Sequence, residues 1–186
     1  DVCSSDLCFR HPLIMKRKSE TFSFYLVVWM IFSSGINYAQ TTDPNGFNRF
    51  YYPSGKVSGE GTLKNGKPDG YWKSYYENGQ LKSEGNRVDF KLDSAWMFYS
   101  DSGIVTAAYQ YRAGVKNGIQ REYYPDGKIR QEENDSMGIR TGVSRFYAES
   151  GTLVKTVPYV SGVEQGMVRE YDKAGTLIQI TVFRNG

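Results

Sequence analysis

From Phe50 onward, apolar and polar side chains alternate one by one between short polar breaks, as in Tyr71, Lys73, Tyr75 against Trp72, Ser74, Tyr76. A period of two belongs to strands, because successive side chains of a strand point to opposite faces. The breaks recur as regularly as the strands. Tyrosine stands at Tyr51, Tyr75, Tyr99, Tyr123, Tyr147 and Tyr171, and four residues after each comes a glycine, at Gly55, Gly79, Gly103, Gly127, Gly151 and Gly175. Two residues further on the side chain is always aliphatic, from Val57 and Leu81 to Leu177. The unit is therefore 24 residues long, repeated without insertion or deletion. Further glycine registers run through Gly66, Gly114, Gly138 and Gly162 and through Gly70, Gly118, Gly142 and Gly166. Glycine this frequent leaves no stretch for a long helix.

Such a short period holds two strands and two turns. Pro125-Asp126-Gly127 shows the chemistry of the first turn: proline presets φ, aspartate bonds the local backbone, and glycine takes positive φ. The second turn reads as a longer loop, Asn65-Gly66-Lys67-Pro68-Asp69-Gly70, of a class that joins hairpins. The expected fold is all-β, an antiparallel β-meander of hairpin repeats in one elongated sheet, on the order of 50 Å long at about 4.8 Å per strand. Tyr71, Ala95, Ile119, Val143 and Met167 form an apolar column beside the repeated tyrosines, and this face is expected to be the buried one. In one repeat the glycines of the second turn are replaced, giving Asp89-Phe90-Lys91-Leu92-Asp93-Ser94, and that loop is expected to fold differently, because bulky residues are strained at positive φ. Presentation of Phe90 and Leu92 or drift of a single repeat both account for the replacement.

Units such as Tyr111-Arg112-Ala113-Gly114-Val115-Lys116-Asn117-Gly118, followed by Glu122-Tyr123-Tyr124-Pro125-Asp126-Gly127-Lys128, resemble MORN-type repeats, in particular a bacterial variant described as an exported 24-residue repeat. The resemblance covers Phe50 to Gly186. It implies a binding module rather than an enzyme. Members of that family are often labelled antitoxins of toxin-antitoxin pairs, and MORN repeats elsewhere are linked to membrane-associated or scaffold proteins.

The N-terminal segment reads differently. Residues 1–14 back-translate in part to a sequencing-adaptor sequence and are discounted, which removes Cys3, Cys8 and His11 from any metal or redox motif. From Met15, the basic Lys16-Arg17-Lys18, the apolar Phe22 to Phe32 and the small and polar Ser33 to Gln40 follow in the order of a signal peptide. The expected organisation is a signal over residues 15–39, a linker over 40–50 and six repeats over 51–186, the last incomplete. A protein exported in this way acts in the periplasm, on the outer surface or outside the cell. An uncleaved anchor is the competing reading.

The whole chain carries a net charge of only +3, and its charges interleave. No basic stripe follows a phosphate backbone, so nucleic acid is not an expected partner. Without the discounted residues there is no histidine base and no cysteine nucleophile, and no loop collects the oxygen ligands of calcium, so neither catalysis nor a metal or other cofactor is expected. One constellation stands out. Trp72, Tyr76, Trp96 and Phe98 cluster on the face opposite the tyrosine column, whereas later repeats place Gln120, Ser144 and Val168 at the tryptophan position. An aromatic stripe suits a protein partner or a sugar ring, with lipid headgroups a further ligand class; equally, the two tryptophans fill a second small core or cap the solenoid. On the first reading, Trp72, Tyr76, Trp96, Phe98 and the Phe90 loop are the candidate partner-binding residues, and polar groups at Gln120 and Ser144 imply that the scaffold tolerates loss of the tryptophans.

Overall fold

The computed structural model describes residues 42–184, so the discounted N-terminal segment and the signal-like segment lie outside the described residues. The described residues form strands and turns throughout: β1 (Phe47–Tyr51), β2 (Val57–Lys64), β3 (Lys67–Tyr75), β4 (Leu81–Val88), β5 (Lys91–Tyr99), β6 (Val105–Arg112), β7 (Val115–Tyr123), β8 (Ile129–Ser136), β9 (Ile139–Tyr147), β10 (Leu153–Val160), β11 (Val163–Glu164), β12 (Gly166–Tyr171) and β13 (Leu177–Phe183). Strands consecutive in the chain pair antiparallel in one open sheet, except that β11 and β12 do not pair with each other but together occupy a single strand position beside β10. This is the expected meander.

The repeated tyrosines close one strand of every hairpin, and the glycines four residues later turn the chain. At Tyr124–Gly127 the Gly127 amide donates to the Tyr124 carbonyl at 2.9 Å, the Tyr124 amide donates to Lys128 at 2.8 Å, and Gly127 has φ +84°. The residue before each such turn sits at a register shift, for example between Glu122 and Tyr123, which is the bulge that this hairpin geometry needs.

The second turn is shorter than the six-residue loop read from the sequence. It holds two residues, both at positive φ, as in Asn65 at +52° and Gly66 at +74° or Ala113 at +51° and Gly114 at +87°. This primed geometry matches the twist of the flanking strands. Lys67-Pro68-Asp69-Gly70 belongs instead to β3, where it grips the next turn. The Asp89 amide donates to the Asp69 carboxylate at 3.1 Å and the Phe90 amide to the Pro68 carbonyl at 2.8 Å. One unit on, Asp93 accepts from Ala113 and Leu92 from Gly114; a further unit on, Asn117 accepts from Met137 and Lys116 from Gly138. The asparagine or aspartate at this place therefore ties one unit to the next.

That grip also corrects the expectation for residues 89–94. Their loop folds like the others, with Asp89 at +46°, Phe90 at +75° and Ser94 at +60°, so the strain is borne and not avoided. The linker boundary changes as well. Within residues 40–50, Pro44 accepts from the Gly66 amide at 2.8 Å and Asn45 from the Asn65 amide at 2.8 Å, in the places taken by Pro68 and Asp69 one unit later, and β1 begins at Phe47. The repeat architecture thus starts before Tyr51.

The buried face is the opposite of the one expected. Tyr71, Ile119, Val143 and Met167 are 40–55% exposed, whereas Trp96, Gln120, Ser144 and Val168 are at most 4% exposed. The reason lies in the strand opposite. Gly61 pairs with Trp72 and Gly85 with Trp96, and a Cβ on either glycine would lie 2.4–2.5 Å from the indole. Each ring lies flat across a glycine and covers the backbone beneath it, which no side chain of the aliphatic column does.

Candidate interaction surface

On the tryptophan face, Trp72 Nε1 donates to the Thr62 carbonyl at 3.0 Å and Trp96 Nε1 to Asn86 at 2.8 Å. In the next repeat Gln120 Nε2 donates to the equivalent Gln110 carbonyl at 3.1 Å and also to Gly118 at 3.0 Å. Glutamine is accepted here because it replaces the indole hydrogen bond, not because the position is exposed. Ser144 is fully buried and replaces neither ring nor bond. Beside it Glu133 is buried and accepts from Gln131 and Arg140, which neutralises its charge. Ser144 Oγ and Gln120 Oε1 find no protein partner.

The five candidate partner-binding residues are therefore not one exposed stripe. Trp96 is 3% exposed. Trp72 is half-buried and stacks on Phe50 at 5.9 Å, while Phe98 packs against Trp96 at 6.3 Å and Tyr109 at 5.4 Å. Tyr76 donates from its hydroxyl to the Tyr99 carbonyl at 2.8 Å, and Tyr52 and Tyr124 make the same bond to Tyr75 and Tyr147. These four candidates hold units together. Only Phe90, 61% exposed at its turn, stands free of the scaffold.

The other face carries what the aromatic face does not. Along its middle runs a cross-strand ladder of charge: Arg49 pairs with Glu60 at 2.8 Å, Lys73 with Glu84 at 3.9 Å, and Glu132 with both Arg121 at 2.9 Å and Arg145 at 3.5 Å. Two of the repeated tyrosines join it, Tyr75 donating to Glu60 at 2.7 Å and Tyr99 to Glu84 at 2.6 Å. Burial, then the bond to the carboxylate, pushes both phenols up to about 12. Glu60 is lowered, by its bonds from Tyr75 and then Arg49.

Beside the ladder the side chains turn aliphatic toward the C-terminal strands. Ile119, Val143, Met167 and Val182 form one column, and Val115, Ile139, Val160 and Val163 a second nearer the two-residue turns; all are between 38% and 53% exposed. Ile180 adds to them from β13 at 49%. Together they leave on the order of 800 Å² of aliphatic surface open, above the roughly 300–600 Å² of the largest patch on a typical monomer. The column is legible in the sequence, but its exposure is set by the strand register. Gly61 and Gly85, mid-strand glycines opposite tryptophans, are the signal that reverses the assignment, because such a glycine marks close approach of a ring.

A family model described as MORN repeat variant matches residues 48–65, 68–89, 116–134 and 140–161. These segments coincide with the hairpins β1–β2, β3–β4, β7–β8 and β9–β10. No curated protein matches the chain.

Proposed function

The chain belongs to the MORN repeat variant family, and on that premise we propose that it is an exported, non-enzymatic scaffold that binds a protein partner through the aliphatic face of β7–β13. Repeats of this kind generally mediate protein or membrane-lipid interactions. One observation supports the protein reading: the open surface consists of valine, isoleucine and methionine on neighbouring strands, the chemistry by which one sheet packs on another. The aromatic cluster that suited a sugar is not an open stripe, since Trp96 is buried while Tyr71 and Phe90 are exposed at separate places. The export part of the reading rests on the basic, apolar and small-residue order of residues 15–39.

The test is capture from envelope extracts by the full chain and by Met167→Lys, beside glycan and lipid arrays. Protein capture that Met167→Lys abolishes supports the reading. Binding to a glycan or lipid array with no protein captured overturns it. Intact mass of the exported product checks the signal: a species beginning near Gln40 is expected, and one retaining Met15 to Ala39 refutes cleavage.

A further inference from the structure

We propose that the aliphatic face of β7–β13 is covered by a second copy of this chain, packed face to face; this rests on that face being a protein-binding surface. The first support is the order of residues along the columns. Ile119, Val143 and Met167 stand on β7, β9 and β12, and Val115, Ile139 and Val163 on β7, β9 and β11, two strands or about 9.6 Å apart each time. Turning a copy through 180° about an axis along β9 places Ile119 over the other copy's Met167 and Val115 over its Val163. Val143 and Ile139 then face their own equivalents. A two-fold interface requires a surface that matches itself in this way.

Size is the second support. An open aliphatic area on the order of 800 Å² is one partner's share of a standard interface. The ladder beside the columns makes the prediction specific. Arg121 and Arg145 share Glu132, and Arg169 lies in the same row without an ion pair among the described residues. The same rotation sets Arg121 against the partner copy's Arg169 and Arg145 against its equivalent. Like charges thus meet at one rim, and salt, by screening them, strengthens the dimer. Adsorption on an anionic lipid surface has the opposite dependence.

Sedimentation velocity of the full chain from about 1 to 100 μM, at low and high sodium chloride, tests the proposal, since a dimer's population depends on protomer concentration. A monomer–dimer equilibrium is expected whose Kd falls several-fold with salt. Val143→Lys sets a charge against itself on the two-fold axis and raises Kd by about 100-fold or more, as charges juxtaposed in a buried interface do. Circular dichroism verifies that the variant is folded; if it is not, Val143→Thr, which keeps the branched strand side chain, replaces it with about a tenfold rise expected for a polar group placed in the interface. A chain monomeric at the highest concentration, a dimer indifferent to these changes, or binding to phosphatidylglycerol vesicles that salt abolishes and Val143→Lys leaves intact or strengthens overturns the proposal. If the chain is monomeric yet Met167→Lys still abolishes capture of an envelope protein, the second copy is wrong and the protein-binding face stands; if nothing depends on this face, both fall.

Discussion

Replacing Phe90 with glycine should stabilise the protein. Phe90 holds φ +75° at the second position of a two-residue turn where equivalent turns have Gly66, Gly114, Gly138 and Gly162. A residue with a Cβ loses about 1–2 kcal/mol in the left-handed region. Glycine recovers that energy but gives back about 0.5–1 kcal/mol through the greater freedom of its unfolded chain. The ring is 61% exposed, so little packing is lost with it. Both hydrogen bonds of the residue, its amide to Pro68 and its carbonyl from Arg87, use backbone atoms and survive. The result is also an Asp-Gly pair, the preferred chemistry of this turn. The net gain comes to about 0.5–1 kcal/mol. Urea unfolding followed by tryptophan fluorescence reads it well, because Trp96 lies on β5, a strand of this hairpin, and Trp72 on β3 beside it. Phe90→Ala is the control: it removes the ring, keeps the strain, and should leave stability nearly unchanged. A gain equal to that of glycine from Phe90→Ala, or a loss from Phe90→Gly, would refute the reasoning, since the cost would then lie in the exposed ring or the ring would be a packing element.

Three further outcomes follow from the same geometry. Trp96→Ser should cost about 3–5 kcal/mol, as removal of a buried large ring does; this reverses the sequence-based expectation of a tolerated change, and an unaltered urea midpoint would restore it. Gly127→Val should cost at least about 1 kcal/mol in a melting experiment, because φ is +84° while no atom lies within 4 Å of the added Cβ, so the backbone conformation alone is at issue. On the alkaline side, stability should fall between pH 10 and about 12, because Tyr75 and Tyr99 keep their protons in the fold while the unfolded chain releases them at the ordinary value of 10.0. Tyr75→Phe together with Tyr99→Phe should make that decline shallower without abolishing it, since burial raises Tyr71, Tyr109, Tyr111 and Tyr159 as well, and an alkaline profile identical to the parent's would show that Tyr75 and Tyr99 do not contribute.

Much of the architecture was decided within the sequence, because its rules are local. Alternation sets strand periodicity, and a glycine at a fixed interval supplies the positive φ that every Gly127-type turn needs, so hairpins stacked in chain order follow without distant contacts. Local rules do not say which face of a sheet is covered. Both faces of this chain carry apolar columns, and only the pairing of Trp72 and Trp96 with Gly61 and Gly85 selects one: a ring can lie flat where its cross-strand neighbour has no side chain, and that neighbour is set by register. Likewise Gln120 reads as tolerated polarity until the strands place the Gln110 carbonyl within its reach, and Phe90 reads as a different loop until Asp69 and Pro68, one unit earlier, are seen to hold its turn in shape. Repetition along the chain determined the strands and turns; the contacts between units, which pair residues about 20 positions apart, decided which side chains became core and left Ile119, Val143 and Met167 exposed.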